Sequence, residues 1–279
     1  MKIFVTGISG QLGYDVLEEG KKRGFDIVGT SSKELDITNK QAVKNYITSV
    51  NPDVIIHCAA YTAVDKAEEE RDICYNVNVN GTKYLAEAAA ELQAKFVYIS
   101  TDYVFDGQGN QPFKETDKTN PIGFYGETKL QGEQEVQQLL EKYFIVRISW
   151  VFGKNGHNFV KTMLRLAESN EIVSVVGDQL GSPTYTVDLA NVLLDMIQSE
   201  EYGIYHASNE GFCSWAQFAE AIFEMESKAT AVNAITTAEY PTKAKRPANS
   251  KMDKSKLAEV FAILPTWQDA LSRYLKELQ

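Results

Sequence analysis

The stretch Lys2-Ile3-Phe4-Val5-Thr6-Gly7-Ile8-Ser9-Gly10-Gln11-Leu12-Gly13 decides how the rest of the chain is read. Lys2 to Thr6 is a short apolar run of the kind that forms a buried strand. Three glycines follow at once, and a helical stretch runs from Tyr14 to about Arg23. Strand, glycine turn, helix is the context in which a glycine motif becomes a phosphate-binding hypothesis. Glycines let the backbone approach a pyrophosphate, and the helix N-terminus offers free N–H donors and a favourable dipole. The spacing is G-x-x-G-x-x-G, over Gly7, Gly10 and Gly13, and not G-x-G-x-x-G. A glycine turn with no ligand is the bland alternative; the position between strand and helix favours dinucleotide binding.

Working outward, strand and helix signals alternate. Phe25 to Thr30 reads as a second strand. An acidic residue at its end would hold the ribose of NAD. The chain instead continues Thr30-Ser31-Ser32-Lys33, whose hydroxyls and lysine suit a 2′-phosphate. NADPH is therefore the expected cofactor, with NADH also usable because Glu34 is adjacent. Asp36 could bond an adenine amine with Ile37 against the ring; its alternative role, or that of Thr38, is helix N-capping. Asp53 to Ala60 is a nearly continuous apolar run, read as a central parallel strand buried on both faces. Its small Ala59-Ala60 end would let a cofactor lie close, and His57 within it reads as a core histidine bonded to backbone. Helical material spans about Val64 to Leu92, with Glu68-Glu69-Glu70 as a solvated face. Lys95 to Ser100 is another strand, which puts Thr101 at the same sheet edge as Ala60. Phe144 to Trp150 is a further strand.

This alternation predicts an α/β fold with a doubly wound parallel sheet. Residues 1–150 are expected to be the dinucleotide-binding domain. Residues 151–279 are expected to be a smaller, mainly substrate-binding part, with some elements returning to the main sheet.

The bulk numbers exclude several classes. Net charge is −10, which argues against nucleic acid as a partner. No apolar run is long enough to span a bilayer, and no targeting segment is visible, so the cytosol is the expected compartment. Three cysteines with no CxxC pair read as free thiols and not as a disulfide frame or zinc site.

The chemistry centres on Tyr125-Gly126-Glu127-Thr128-Lys129. Tyrosine and lysine four residues apart share one helix face. An ammonium near a phenol favours the phenolate, so Lys129 is expected to lower the Tyr125 pKa and suit it to proton transfer. Alone the pair is weak, since chance places it on many amphipathic helices.

Taken together, Gly7-x-x-Gly10-x-x-Gly13, Ala59-Ala60, Asn78-Val79-Asn80-Gly81-Thr82, Ser100-Thr101 and Tyr125-x-x-x-Lys129 resemble the extended short-chain dehydrogenase/reductase family. The resemblance narrows to its branch of reductases acting on 4-keto nucleotide sugars. That narrowing rests on Gly10-Gln11-Leu12-Gly13, the run Ala60 to Glu68, the run Ser100 to Phe105, and Asn158-Phe159 with Lys161-Thr162-Met163. It rests also on Asp178-Gln179 with Gly181-Ser182-Pro183-Thr184, and on Arg246-Pro247 with Asn249-Ser250. These cover essentially the whole chain.

The resemblance implies reduction of the C4 ketone of dTDP-4-dehydro-L-rhamnose to dTDP-L-rhamnose, with NADPH as hydride donor. It implies Thr101, Tyr125 and Lys129 as catalytic residues. Gln11, Leu12, Asp36, Ile37, Ala60, Tyr61 and Thr62 are implied to line the cofactor, beside Gly7, Gly10, Gly13, Ser31, Ser32, Lys33 and Ala59. Asp102, Tyr103, Trp150 and Asn158 are implied to meet the nucleotide sugar. Some members carry a magnesium ion linking subunits through glutamates; no metal-ligand spacing stands out here, so no metal residue is assigned and a homodimer stays open.

Two rivals stand beside this reading. A dehydratase of the same fold needs an Asp-Glu pair beside the threonine, whereas Asp102 is followed by Tyr103; an epimerase is less firmly set aside. A non-catalytic regulatory subunit on the fold would have no need of Thr101, Tyr125 and Lys129 together. An acidic protein that binds a sugar diphosphate must also supply local cations. Arg246, in Lys245-Arg246-Pro247-Ala248-Asn249, is the candidate; the alternative is a surface arginine in a loop.

Overall fold

The computed structural model describes residues 1–279. Six parallel strands form one sheet: β1 (Lys2–Thr6), β2 (Asp26–Thr30), β3 (Val54–His57), β4 (Lys95–Thr101), β5 (Tyr143–Ile148) and β6 (Gly203–His206). Their order in space is β6-β5-β4-β3-β1-β2. The order reverses between β1 and β3, and open α/β sheets bind ligands at such a switch point, outside the carboxyl ends of the strands.

Side chains alternate across a strand, so one strand feeds two cores. From β1, Ile3 and Val5 join one cluster with Val16, Val54, Val97, Leu189 and Leu193. Phe4 joins the opposite one with Val43, Ile55, Leu85, Phe96, Tyr98 and Val136. The first face is covered by helices α1 (Gln11–Lys22) and α6 (Thr186–Met196); the second by α2 (Lys40–Val50), α3 (Thr82–Leu92) and α4 (Phe124–Leu139). Each fully buried Val, Leu or Phe contributes about 1.5–3 kcal/mol, so continuous apolar strands are what this layering demands. A third cluster, including Phe152, Val160, Phe218, Trp267 and Tyr274, is the core of the C-terminal part. There α5 (Phe159–Ala167), α7 (Trp215–Met225) and α8 (Trp267–Leu278) pack around a small parallel pair, Ile172–Val176 with Ala231–Ile235.

Several local expectations are corrected. β3 stops at His57, and Ala59-Ala60 turn away beside Gly7, where a Cβ would lie 2.8 Å from Ala59 Cα. β5 stops at Ile148, because Trp150 takes φ +49°, which no ladder accommodates. The cap of α2 is neither Asp36 nor Thr38 but Asn39, whose side chain accepts from the Ala42 N–H at 3.0 Å. Asp36 is held by its own turn, accepting from the N–H and the hydroxyl of Thr38. Glu68-Glu69-Glu70 is the expected solvated face, with Glu69 and Glu70 exposed, and it also makes surface contacts. Glu68 accepts the Phe124 N–H at the start of α4, Glu69 pairs with Lys243, and Glu70 accepts the Tyr61 hydroxyl. The three cysteines are free thiols. No helix is long and apolar enough to cross a membrane, and nowhere do three or more His, Cys, Asp or Glu gather as a metal site would need.

Candidate active site

A cavity of about 770 Å³ opens along the carboxyl edge of the sheet. That is within the range of small-molecule and cofactor sites. Gly7, Gly10, Gln11, Leu12 and Gly13 form one end, and Thr101, Tyr125 and Lys129 lie in the same cavity.

The glycine end is built for close backbone approach. Gly7 has φ +74°, a left-handed conformation that glycine alone takes without strain. A Cβ on Gly13 would lie 2.4 Å from the Gly7 carbonyl oxygen, so the first turn of α1 presses directly on the loop. Gly10 caps α1 with no side chain over the helix end, which leaves the first N–H groups to donate to an anion. Ser31, Ser32, Asp36, Ile37, Ala59, Ala60, Tyr61 and Thr62 line the adjoining walls. Lys33 is exposed and does not. Glu34 explains part of this end: its carboxylate accepts both the N–H (2.7 Å) and the hydroxyl (2.9 Å) of Ser31.

Two polar chains stiffen the floor. His57 bonds two threonine hydroxyls, correcting the expected backbone partner: Nδ1 lies 2.8 Å from Thr6 Oγ1 and Nε2 3.1 Å from Thr82 Oγ1. Thr82 spends its proton on the Asn78 carbonyl, so its oxygen accepts from Nε2–H, and Nδ1 accepts from Thr6. Burial holds this imidazole neutral, its pKa pulled down to about 3, with the Lys129 charge adding to the effect. Thr6 in turn accepts the Ala59 N–H. The second chain runs through Asn78, whose amide clamps both the N–H and the carbonyl of Tyr61 and donates to Thr128 on α4. Asn78 sits in a π-helical turn, Asn76–Gly81, a widening of the helix that often marks functional sites. Sequence reasoning assigned it no role; periodicity carries no signal for a one-residue bulge.

At the other end Tyr125 and Lys129 project from α4, one turn apart. The Thr101 hydroxyl donates to Asp102 Oδ1 at 3.0 Å and accepts the Tyr103 N–H, and the Tyr125 phenol lines the same cavity. Thr101 thus does cap the short turn after β4 while facing the cavity. The expected lowering of the Tyr125 pKa is corrected. Burial pushes the phenol well above its ordinary value, and the nearby Asp102 charge adds to the rise. Lys129 is itself buried, and burial pulls its pKa down to about 7. Desolvation outweighs the pairing that spacing alone suggests. Asp102 is buried too, its pKa raised to about 6 chiefly by burial, and its Oδ2 has no protein partner.

The remaining candidates divide. Tyr103 lines the cavity and meets the Tyr125 ring edge-on at 5.6 Å. Trp150 lines it from a left-handed backbone, stacked on Trp215 at 3.7 Å between centroids. Trp215 was not singled out in the sequence, being one aromatic of the amphipathic helix α7. Asn158 does not line the cavity: its Oδ1 caps α5, and its amide donates to Gln11 Oε1, the Gly153 carbonyl and the Tyr274 hydroxyl. Arg246 also lies outside the lining, paired with Asp65 at 2.8 Å and 3.4 Å from the Tyr103 hydroxyl.

Comparison with known proteins places this architecture. The family described as the RmlD substrate binding domain matches residues 1–279. A dTDP-4-dehydrorhamnose reductase of Aggregatibacter actinomycetemcomitans is 46% identical, with 97% of each chain covered. The crystal structure of a dTDP-4-dehydrorhamnose reductase from Clostridium acetobutylicum superposes with a TM-score of 0.98 at 44% identity, covering 100% of both chains. That of the Bacillus anthracis enzyme in complex with NADP gives 0.96 at 44% identity, over 99% of this chain and 100% of that one. A Thermus thermophilus UDP-glucose 4-epimerase shares the fold at 19% identity. With a match over its full length and relatives well above chance identity, the chain belongs to the RmlD substrate binding domain family.

Proposed function

We propose that the protein reduces the C4 ketone of dTDP-4-dehydro-L-rhamnose with NADPH, giving dTDP-L-rhamnose. The observation that carries this reading is the convergence of Thr101, Tyr125 and Lys129 in one cavity with the Gly7–Gly13 loop. The names of the full-length relatives supply the sugar and the nucleotide.

The Gly7–Gly13 loop and the uncapped start of α1 would receive the pyrophosphate, and Ala59-Ala60 would let the dinucleotide lie against the sheet edge. When bound, the nicotinamide supplies a hydride to the ketone carbon. The chain supplies the rest. Tyr125 gives its proton to the carbonyl oxygen as charge develops there, and Thr101 is the second hydroxyl at that oxygen. A high phenol pKa keeps Tyr125 protonated and ready to donate. Lys129 would hold the ribose and steady the phenolate left behind. Asp102 Oδ2 is a buried acceptor available for a sugar hydroxyl, and Trp150 offers a face to sugar or base. The first experiment mixes the protein with NADPH and dTDP-4-dehydro-L-rhamnose and follows absorbance. Oxidation of NADPH with formation of a 6-deoxysugar nucleotide is expected; no turnover would return the chain to a binding role.

Two further outcomes are expected. NADPH is preferred over NADH, but only modestly, because Glu34 holds Ser31 and would face a 2′-phosphate. Glu34→Gln should widen the preference for NADPH severalfold in kcat/KM, because the carboxylate facing the 2′-phosphate is removed. An NADH preference in the wild type would overturn the assignment of Ser31 and Ser32. Arg246, beside Tyr103, is proposed to meet the diphosphate by exchanging its Asp65 partner. Arg246→Ala should raise KM for the nucleotide sugar roughly tenfold and leave KM for NADPH nearly unchanged. Equal small effects on both would leave it a surface strap.

A further inference from the structure

The helix carrying Tyr125 and Lys129 carries a third residue on the same face, one more turn along: Glu133. It is 1% exposed. Its carboxylate is gripped by a fork from Arg147 on β5, Nε to Oε1 at 2.9 Å and Nη2 to Oε2 at 2.7 Å, and Oε1 also accepts the Ser100 hydroxyl of β4 at 2.5 Å. Arg147 is equally buried. Its Nη1 has no hydrogen-bond partner, and its guanidinium lies 5.1 Å from the Phe105 ring centroid. A buried ion pair of this kind is weak evidence for stability, because desolvation of two charges cancels most of their attraction. Its presence under the site therefore asks for another reason.

We infer that Glu133, fixed by Arg147 and Ser100, is a positioning residue for the reaction: it holds Lys129 in its protonated form at the cavity floor. The inference rests on the proposed reductase reading. The surroundings of Lys129 leave Glu133 little competition. The ammonium stands 4.1 Å over the Tyr98 ring of β4. The thiols of Cys58 after β3 and Cys74 on the helical turn Arg71–Tyr75 and the neutral His57 of β3 lie near enough to interact with its charge, and the Tyr125 phenol on α4 lines the same cavity. Burial keeps both thiols protonated by raising their pKa, and Tyr98 and Tyr125 are raised likewise. Glu133 is the foremost influence that opposes the loss of the Lys129 proton. On its far side, Arg147 faces the buried His206 of β6, which burial and that same guanidinium keep neutral. Arg147 thus serves as the fixed counter-charge that holds the Glu133 carboxylate in place, and Ser100 adds a third hydrogen bond to it.

The test is the pH dependence of kcat for reduction of the 4-keto sugar nucleotide. Lys129 must carry its proton, so removing the Glu133 charge lets that proton go at lower pH. In Glu133→Gln the alkaline limb of kcat should move down by about one pH unit, which is about a tenfold loss on the alkaline side. Because this variant strands a buried guanidinium, the pair Glu133→Gln with Arg147→Met is measured beside it. There the amide oxygen still accepts from Ser100, no charge is left uncompensated, and thermal unfolding reports the fold. The same downward shift in the folded double variant supports the inference. A folded double variant whose limb coincides with that of the wild type would overturn it and leave the pair a structural brace. A wild-type protein with no turnover would instead overturn the reductase reading, so the two failures are distinguishable.

Discussion

Tyr125→Phe turns over at no more than about a hundredth of the wild-type rate, the usual scale for losing a general acid. The substitution keeps the ring, its edge-on contact with Tyr103 and the helix that bears it, and removes only the hydroxyl. NADPH binding, followed by fluorescence titration, should stay within about twofold of wild type, since the glycine end of the cavity is untouched. A purely structural tyrosine would show the reverse: preserved turnover with altered stability. Near-normal turnover in the variant would remove Tyr125 from the chemistry and leave Thr101 as the one hydroxyl proposed at the carbonyl oxygen.

Gly13→Ala should bind NADPH roughly ten- to a hundredfold more weakly, equivalent to about 1.4–2.8 kcal/mol. The added carbon would stand 2.4 Å from the Gly7 carbonyl oxygen and 2.7 Å from its carbon. Both are backbone atoms with no rotamer to turn aside, so the start of α1 must shift away from the loop it completes. Gly24→Ala is the control. That residue has φ +76°, with nothing within 4 Å of its Cβ position, so it should cost about 1 kcal/mol of stability with no change in NADPH affinity. Wild-type affinity in Gly13→Ala would show that the loop does not meet the cofactor.

The layered α/β fold was legible because buried parallel strands must be apolar throughout. Runs such as Lys2 to Thr6 and Val54 to His57 have no other economical reading. The glycine loop was legible for a related reason: three glycines between strand and helix answer a local steric demand. What escaped the sequence depends on partners distant along the chain. The lowered pKa of Lys129 comes from enclosure by β3, β4 and the helical turns before α3, and spacing to Tyr125 says nothing of it. Asn158 looked like a substrate ligand because nothing local reveals that Gln11 and Tyr274 would claim its amide. Arg246 looked free, and Asp65 lies 181 residues away in sequence. Strand ends were misjudged at Ala59-Ala60 and Trp150, where the backbone leaves the ladder to shape the cavity.

The sixth strand has a consequence for how the chain is made. From the end of β5 at Ile148 to the end of β6 at His206, roughly 60 further residues must leave the ribosome before β5 gains its outer neighbour, about 3–12 s at ordinary elongation rates. α6, whose Leu189 and Leu193 cover the face bearing Ile3, Val5 and Val146, emerges in the same interval. For those seconds the nascent sheet stands with one side half-clothed and an unpaired strand at its border, the state in which chains stick to one another. Slow codons placed within this window would lengthen that exposure, whereas the same pause after His206 would find the sheet already complete.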